Sequence, residues 1–441
     1  MEIAALMFPA LFALILLGIP VAFSLTIVAV GAGLMAFGDV AFNQLYGSFY
    51  SASTNFILSA IPMFILMGAL LERSGIAERL FNVMNMWLGR LPGGLALATI
   101  AMGAIFAASA GVVGAVEVMI GLMAIPAMQR ARYGNSLIAG TICAGGSLGT
   151  MIPPSVIAVM YASLAQISVG KLMAGMMLPA MVMVVLFLGY IYLQGRLNPV
   201  EPYPGDAAQG FEPDDIPLQD KLIATATVLI PVFGLIFAVL GSILAGIASP
   251  TEAAAVGAAG ALLLCIANGR FSLAVLRDSL AITVRIAAMI LLIVAAGTMF
   301  MGAFAANGGA RLIRDVVDGA GMGPTAMIVF FLAVVFVLGF VLDWTANVLI
   351  CVPLFTPFIR EAGIDPVWFA VLVLIVIQTG YLTPPMASSI FYLKSIAPPD
   401  MTYGQMCRGV LPFIGLQLLT LALLVIFPAL ATWLPDRIVG F

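Results

Sequence analysis

Residues 145–155 read GGSLGTMIPPS and residues 379–389 read TGYLTPPMASS. Each stretch interrupts a long apolar run. Each places glycine and a proline pair where a membrane-crossing helix would need its main-chain hydrogen bonds. The two are related by one offset: Gly149 matches Gly380, Pro153-Pro154 match Pro384-Pro385 and Tyr161 matches Tyr392 (149 to 380, a shift of 231). At the same shift Pro126 matches Pro357, so G-x-x-x-P-P-x6-Y occurs twice, each time 23 residues after a proline. Such agreement around two helix breakers marks an internal repeat.

Composition sets the solvent. Of 441 residues, 63% are hydrophobic and 8% charged. A soluble domain has about 25% charged residues, so a soluble enzyme, a disordered chain and a secreted disulfide scaffold are excluded. The length allows a dozen or so crossings at ~20 residues each. There is no His, which removes the commonest general base and metal ligand. Cys143, Cys265, Cys351 and Cys407 show no paired spacing and read as buried apolar side chains. Net charge is −3 without a basic run, so nucleic acid is not an expected partner. The start, MEIAALMFPALF, lacks a positive n-region and reads as a retained first span.

The predicted fold class is an all-α polytopic membrane protein with two re-entrant helical hairpins and two broken helices. A first repeat (1–196) holds spans at 2–18, 20–37 and 56–71, an arm at 40–55, a connector at 74–90, a hairpin at 92–129, a broken helix at 134–163 and a span at 173–195. Residues 197–220 carry six of the 20 acidic residues and five of the 26 prolines, a linker composition. A second repeat (221–441) has spans at 221–241 and 249–268, an arm at 270–284, a span from 285 to 305 and a connector at 307–320. A hairpin at 323–359, a broken helix at 366–394 and a last span at 409–434 complete it. With the first hairpin mouth in the cytoplasm and the second outside, twelve of the 17 Lys and Arg fall on the cytoplasmic side. That agrees with the positive-inside bias, makes the repeats inverted, and puts both termini outside.

Hydrocarbon cannot satisfy the main-chain groups freed at a break, so they line a polar cavity or hold a ligand. Carbonyls suit a hard cation such as Na⁺; half-helix N-termini suit a carboxylate. Four breaks recur, at 109–114, 145–155, 341–347 and 379–389. Hydroxyls and amides gather there: Ser109, Ser147, Thr150 and Ser155, then Asp343, Thr345, Asn347, Thr379, Thr383, Ser388 and Ser389. A carboxylate at bilayer depth costs roughly 2.5–3.5 kcal/mol, which a bound cation at the Asp343 tip would offset. Glu117 is read either as a protonatable group or as facing the hairpin mouth, and Glu252 as a helix N-terminal charge. No G-x-x-x-x-G-K-[ST] loop is present, so the energy source is an ion gradient rather than ATP.

GAIFAASAGVVGAVEVMIGLMAIPAM, AGTICAGGSLGTMIPPSVIAVMYA, LGFVLDWTANVLICVPLFTPF and TGYLTPPMASSIFYL resemble the large membrane subunit of TRAP (tripartite ATP-independent periplasmic) transporters. The resemblance implies an elevator-type, Na⁺-coupled importer of small organic acids in a bacterial inner membrane. It implies a small four-helix membrane subunit and a periplasmic substrate-binding protein as partners, and no cofactor beyond the coupling Na⁺. By position, Ser109, Gly111, Gly114, Gly145, Ser147, Gly149 and Pro153 would frame one Na⁺ site. Asp343, Thr345, Thr379, Gly380 and Thr383 would frame the other, with Ser155, Asn347 and Ser388 toward substrate. Many members carry a more Ser-rich first tip; here it is AASAGVVGA, and the whole resembles members handling α-keto or hydroxy acids. A stand-alone carboxylate carrier and an ion channel are the competing readings. An intramembrane protease is disfavoured by the absence of His and of paired aspartates in spans.

Overall fold

A computed structural model describes residues 2–110, 113–198, 217–384 and 387–438, without the side chains of 109, 110, 113 and 115. Among the described residues every regular element is helical. The first half runs α1 (Glu2–Leu16), α2 (Val21–Phe37), α3 (Ala41–Ser53), α4 (Ala60–Arg73), α5 (Ile76–Leu88), α6 (Gly94–Ala110), α7 (Val113–Arg130), α8 (Asn135–Ser147), α9 (Val156–Ala165) and α10 (Val169–Leu197). The second half runs α11 (Leu218–Ile236), a π-helical turn (Phe237–Gly241), α12 (Ser242–Leu244), α13 (Pro250–Ala267), α14 (Leu273–Ala306) and α15 (Gly309–Gly319). It continues with α16 (Pro324–Leu338), α17 (Trp344–Glu361), α18 (Pro366–Leu382), α19 (Ser388–Lys394), α20 (Tyr403–Ile426) and α21 (Ala429–Ile438).

Local chemistry explains the boundaries. Ser249 and Glu252 form a reciprocal capping box with Pro250 in the first turn of α13, and Thr402 with Gln405 does the same for α20. Glu252 is thus the N-terminal helix charge read from the sequence. Asp365 caps α18 through the Trp368 amide. Two boundaries differ from expectation. The arm at 270–284 and the span after it are one 34-residue helix, α14, because no glycine or proline interrupts it before Gly297. Its Asp278 reaches Arg73 at 3.5 Å, so the polar residues ornament the helix without breaking it. The last span, by contrast, divides into α20 and α21 at Phe427-Pro428, where proline ends the hydrogen-bond ladder.

Among the described residues seven helical stretches are long and apolar enough to cross a membrane, and α6, α7, α16 and α17 are not among them. Apart from α10 and α20, which belong to the inner layer, the long helices form the outer layer. In the most apolar 18 residues of Leu218–Leu244 only 22% are buried, and Leu222, Ile230 and Phe237 stand exposed on that stretch. Water would disfavour such a surface; hydrocarbon suits it. The chain is a multi-pass membrane protein.

The inner layer is interleaved. At the 231-residue shift α7 and α17 coincide residue for residue, and α8, α9 and α10 overlay α18, α19 and α20. Each half's broken helix serves the other's hairpin: α9 packs on α17 and α19 on α7. The helix α8 crosses α20 at Gly140 and Gly409. There a Cβ on Gly140 would strike the Gly409 carbonyl, and one on Gly409 would strike that of Ser136. Main chain meets main chain, as glycine allows in membrane helix packing.

Candidate functional site: the seam between the two breaks

The first break is stapled by its own hydroxyls. Ser147 Oγ donates to the Ala144 carbonyl (2.8 Å), Thr150 Oγ1 to the Ser147 carbonyl (2.9 Å) and Ser155 Oγ to the Thr150 carbonyl (3.0 Å). All three residues are buried. Because the Ser155 hydroxyl points back into the break, it does not cap α9, whose first amides lack a side-chain acceptor from that position. The second break follows the same logic. Thr379 Oγ1 donates to the Ile375 carbonyl and Thr383 Oγ1 to that of Thr379. Beyond it Ala387 has φ +25°, a left-handed value that an L side chain adopts at a cost, immediately before α19.

The breaks are bonded to each other. Gln378 Nε2 donates to Ser147 Oγ at 3.2 Å, and those two positions are 231 residues apart. The bond therefore joins equivalent positions of the two repeats. Gln417 Nε2 reaches the same hydroxyl at 3.5 Å. A second bond crosses the seam nearby: Ser389 Oγ donates to Glu117 Oε1 at 2.5 Å, from α19 to α7. The Glu117 side chain lies over Gly146, where a Cβ would overlap its Cγ. The tip of the first hairpin also touches the second half, since a Cβ on Gly114 would come 2.7 Å from the Tyr392 ring.

At the second tip Asp343 caps α17, its Oδ1 accepting the Thr345 amide at 3.2 Å. Asn347 ties the limbs of that hairpin, donating to the Val335 carbonyl at 2.9 Å and accepting from Cys351 Sγ at 3.2 Å. A cavity of about 20 Å³ lies there, walled by Trp344, Asn347, Gly380, Tyr381 and Ser388 among others. That is room for one water-sized guest.

Residues 8–430 match the family model described as "Tripartite ATP-independent periplasmic transporter, DctM component". The chain belongs to that family. It is 31% identical over 442 residues to the ectoine/5-hydroxyectoine TRAP transporter large permease protein of Ruegeria pomeroyi, covering 98% of this chain and 99% of that one. It is 30% identical over 394 residues to the C4-dicarboxylate TRAP transporter large permease protein of Pseudomonas aeruginosa, 88% of each chain. These relatives are transporter permeases, not enzymes. The YdaH transporter of Alcanivorax borkumensis, whose crystal structure shows an unusual topology, shares the fold. Its TM-score is 0.61 at 15% identity, over 97% of this chain and 100% of that one.

In this TRAP large permease the residues singled out in the sequence fall into three groups. Ser155, Asp343, Thr345, Asn347, Thr379, Gly380, Thr383 and Ser388 lie along the two breaks and the second tip. Gly145, Ser147, Gly149 and Pro153 also lie on the first break, yet much of their chemistry is already engaged. The Ser147 oxygen accepts two amides, Gly145 lies against the backbone of Gly103, and Pro153 faces an apolar crevice of about 570 Å³. Gly111 and Pro385 lie outside the described residues, as does the Ser109 side chain.

The sequence reading overlooked Gln378 and Gln417. Both are polar residues within apolar helices, outside the glycine- and proline-rich breaks, and Gln378 sits at the repeat equivalent of Ser147. We expect Ser147→Ala to leave two buried amide donors without an acceptor, at about 2–3 kcal/mol. A lower melting temperature in detergent, partly recovered by adding Gln417→Leu, is the measurement.

A Na⁺ ion needs oxygen ligands, and the seam has spare ones. Glu117 Oε2, Thr345 Oγ1, Gln378 Oε1 and Gln417 Oε1 are buried with no hydrogen-bond partner. Orphaned oxygens of this kind are rare in folded proteins. The residues present therefore fit a hard monovalent cation.

Proposed function

We propose that this chain is the transporting subunit of a Na⁺-driven importer of a small organic acid, working by elevator movement of the inner layer within the outer one. The observation that carries this reading is the set of unpartnered buried oxygens of Glu117, Gln378 and Gln417 beside the first break, with that of Thr345 at the second tip. A cation there neutralises carboxylates that hydrocarbon would otherwise penalise. The open amides of the α9 N-terminus suit the acid's carboxylate. The first-break set (Ser109 to Gly114 and Gly145 to Pro153, through main-chain carbonyls because the Ser147 hydroxyl is fully engaged) and the second-break set (Asp343, Thr345, Thr379, Gly380, Thr383) supply the cation sites. Ser155, Asn347 and Ser388 contact substrate. A cavity of about 20 Å³ at the second tip is too small for an organic acid, so that tip moves to admit it.

The partners are a small four-helix membrane subunit and a periplasmic binding protein that delivers the acid. The setting is a bacterial inner membrane, with both termini periplasmic as the Lys and Arg distribution favours. Two Na⁺ moving down about 100 mV would contribute about 4–5 kcal/mol, enough for strong accumulation. Relatives named for C4-dicarboxylates and for ectoines support a small carboxylate-bearing substrate, and the sequence resemblance adds a keto or hydroxy acid to the candidates.

The test is uptake of a radiolabelled α-keto acid, hydroxy acid or C4-dicarboxylate into proteoliposomes. The expected result is accumulation that requires the small subunit, the binding protein and an inward Na⁺ gradient together. Uptake by this chain alone would replace the proposal with a stand-alone carrier. Single-channel currents without accumulation would replace it with a channel.

A further inference from the structure

Glu117 has a role that neither hairpin tip explains. It sits on the return limb of the first hairpin with no exposed surface. Its Oε1 is occupied by Ser389, while its Oε2 is buried and accepts nothing. Among the described residues no Lys or Arg forms an ion pair with it. Its polar surroundings are themselves acidic or neutral: Cys143 on α8, Tyr381 on α18, Tyr392 on α19 and, across the seam, Asp343, which shares both tyrosines with it. A lone carboxyl in such a place is either neutralised by a proton or paired with a cation.

We propose that Glu117 Oε2 is a ligand of the coupling cation at the first break. Two features favour a metal cation as that partner. The carboxyl lies over Gly146, in the last turn of α8, where the helix dipole is negative and each carbonyl, though already accepting one donor, keeps a second lone pair. Carboxylate and helix C-terminus then pull the same way, and together they offer the oxygen-rich surroundings a hard cation takes. The repeat also balances, because each half then brings one carboxyl to the seam, Asp343 from the second hairpin and Glu117 from the first. This inference rests on the Na⁺-coupled reading and deepens it by naming the first site's anionic ligand.

The experiment uses the purified full chain in detergent, without transport. Thermal unfolding is followed while NaCl replaces choline chloride at constant ionic strength, since a ligand that binds only the folded state raises its melting temperature. The wild type and Glu252→Gln, an acid far from the seam, should be stabilised equally by Na⁺. In Glu117→Gln the Na⁺ concentration for half the effect should rise tenfold or more. Glu117→Asp, which keeps the charge but withdraws it by one methylene, should rise by less, and it serves if the Gln variant cannot be purified. A wild-type Na⁺ titration in both Glu117 variants overturns the assignment while leaving Na⁺ coupling intact. No Na⁺ response in the wild type removes the coupling reading and the assignment with it. A response to pH that vanishes in Glu117→Gln, with Na⁺ unchanged, makes the partner a proton and also overturns it.

Discussion

Gly409→Ala is expected to lose about 3 kcal/mol or more and to leave little monodisperse protein in detergent. The reason is the obstacle its Cβ would meet. A clash with a flexible side chain is relieved by a rotamer change, but here the new methyl would strike the Ser136 carbonyl on α8. Main chain has no rotamer, so α8 and α20 must separate along the crossing. Overpacking costs ~1–3 kcal/mol and more where nothing yields. The damage also travels, because α8 leads into the first break and α20 carries Gln417 to Ser147. Gly415→Ala is the matched control. It lies in the same helix with nothing within 4 Å of its added methyl, and should gain about 0.5–1 kcal/mol from helix propensity. Equal melting temperatures for the two variants would show that the crossing has slack the structure does not reveal.

Asp343→Ala is expected to abolish Na⁺-stimulated uptake while the protein remains folded. Two roles of this carboxylate must be separated. As the α17 cap it accepts the Thr345 amide, and losing a cap costs about 1 kcal/mol. As the anionic group at the second tip it would attract a cation, which is the larger effect on transport. Asp343→Asn divides them, because asparagine caps about as well as aspartate but carries no charge. The Asn variant should keep wild-type stability and still lose Na⁺ stimulation. Na⁺-dependent uptake in Asp343→Asn would reduce Asp343 to a helix cap and remove it from the cation site.

Much of the architecture is legible in the sequence. Proline and glycine act on the backbone they belong to, so GGSLGTMIPPS and TGYLTPPMASS announce broken helices without knowledge of their neighbours. The repeat follows from the same residues, and its shift aligns α7 with α17. Boundaries were less legible where the signal was mild. The sequence divides an arm at 270–284 from a span at 285–305, but the structure has one helix, α14, there, because no glycine or proline interrupts the hydrogen-bond ladder before Gly297.

The site was half visible. Asp343 and Asn347 declared themselves as polar residues at an apolar tip. Gln378 and Gln417 did not, for their importance comes from converging on Ser147 from positions 231 and 270 residues away. The sequence leaves Glu117 either protonatable or facing the hairpin mouth and shows no partner for it. Its partner Ser389 lies 272 residues downstream, on a helix that belongs to the other repeat.

Sequence alone determined the solvent, the repeat, the breaks and the family resemblance, because each depends on residue type and spacing along one chain. Tertiary structure decided which oxygens are left without partners. That depends on how α8, α18, α19 and α20 meet, and an unmade hydrogen bond is a property of the surroundings, not of the residue that fails to make it.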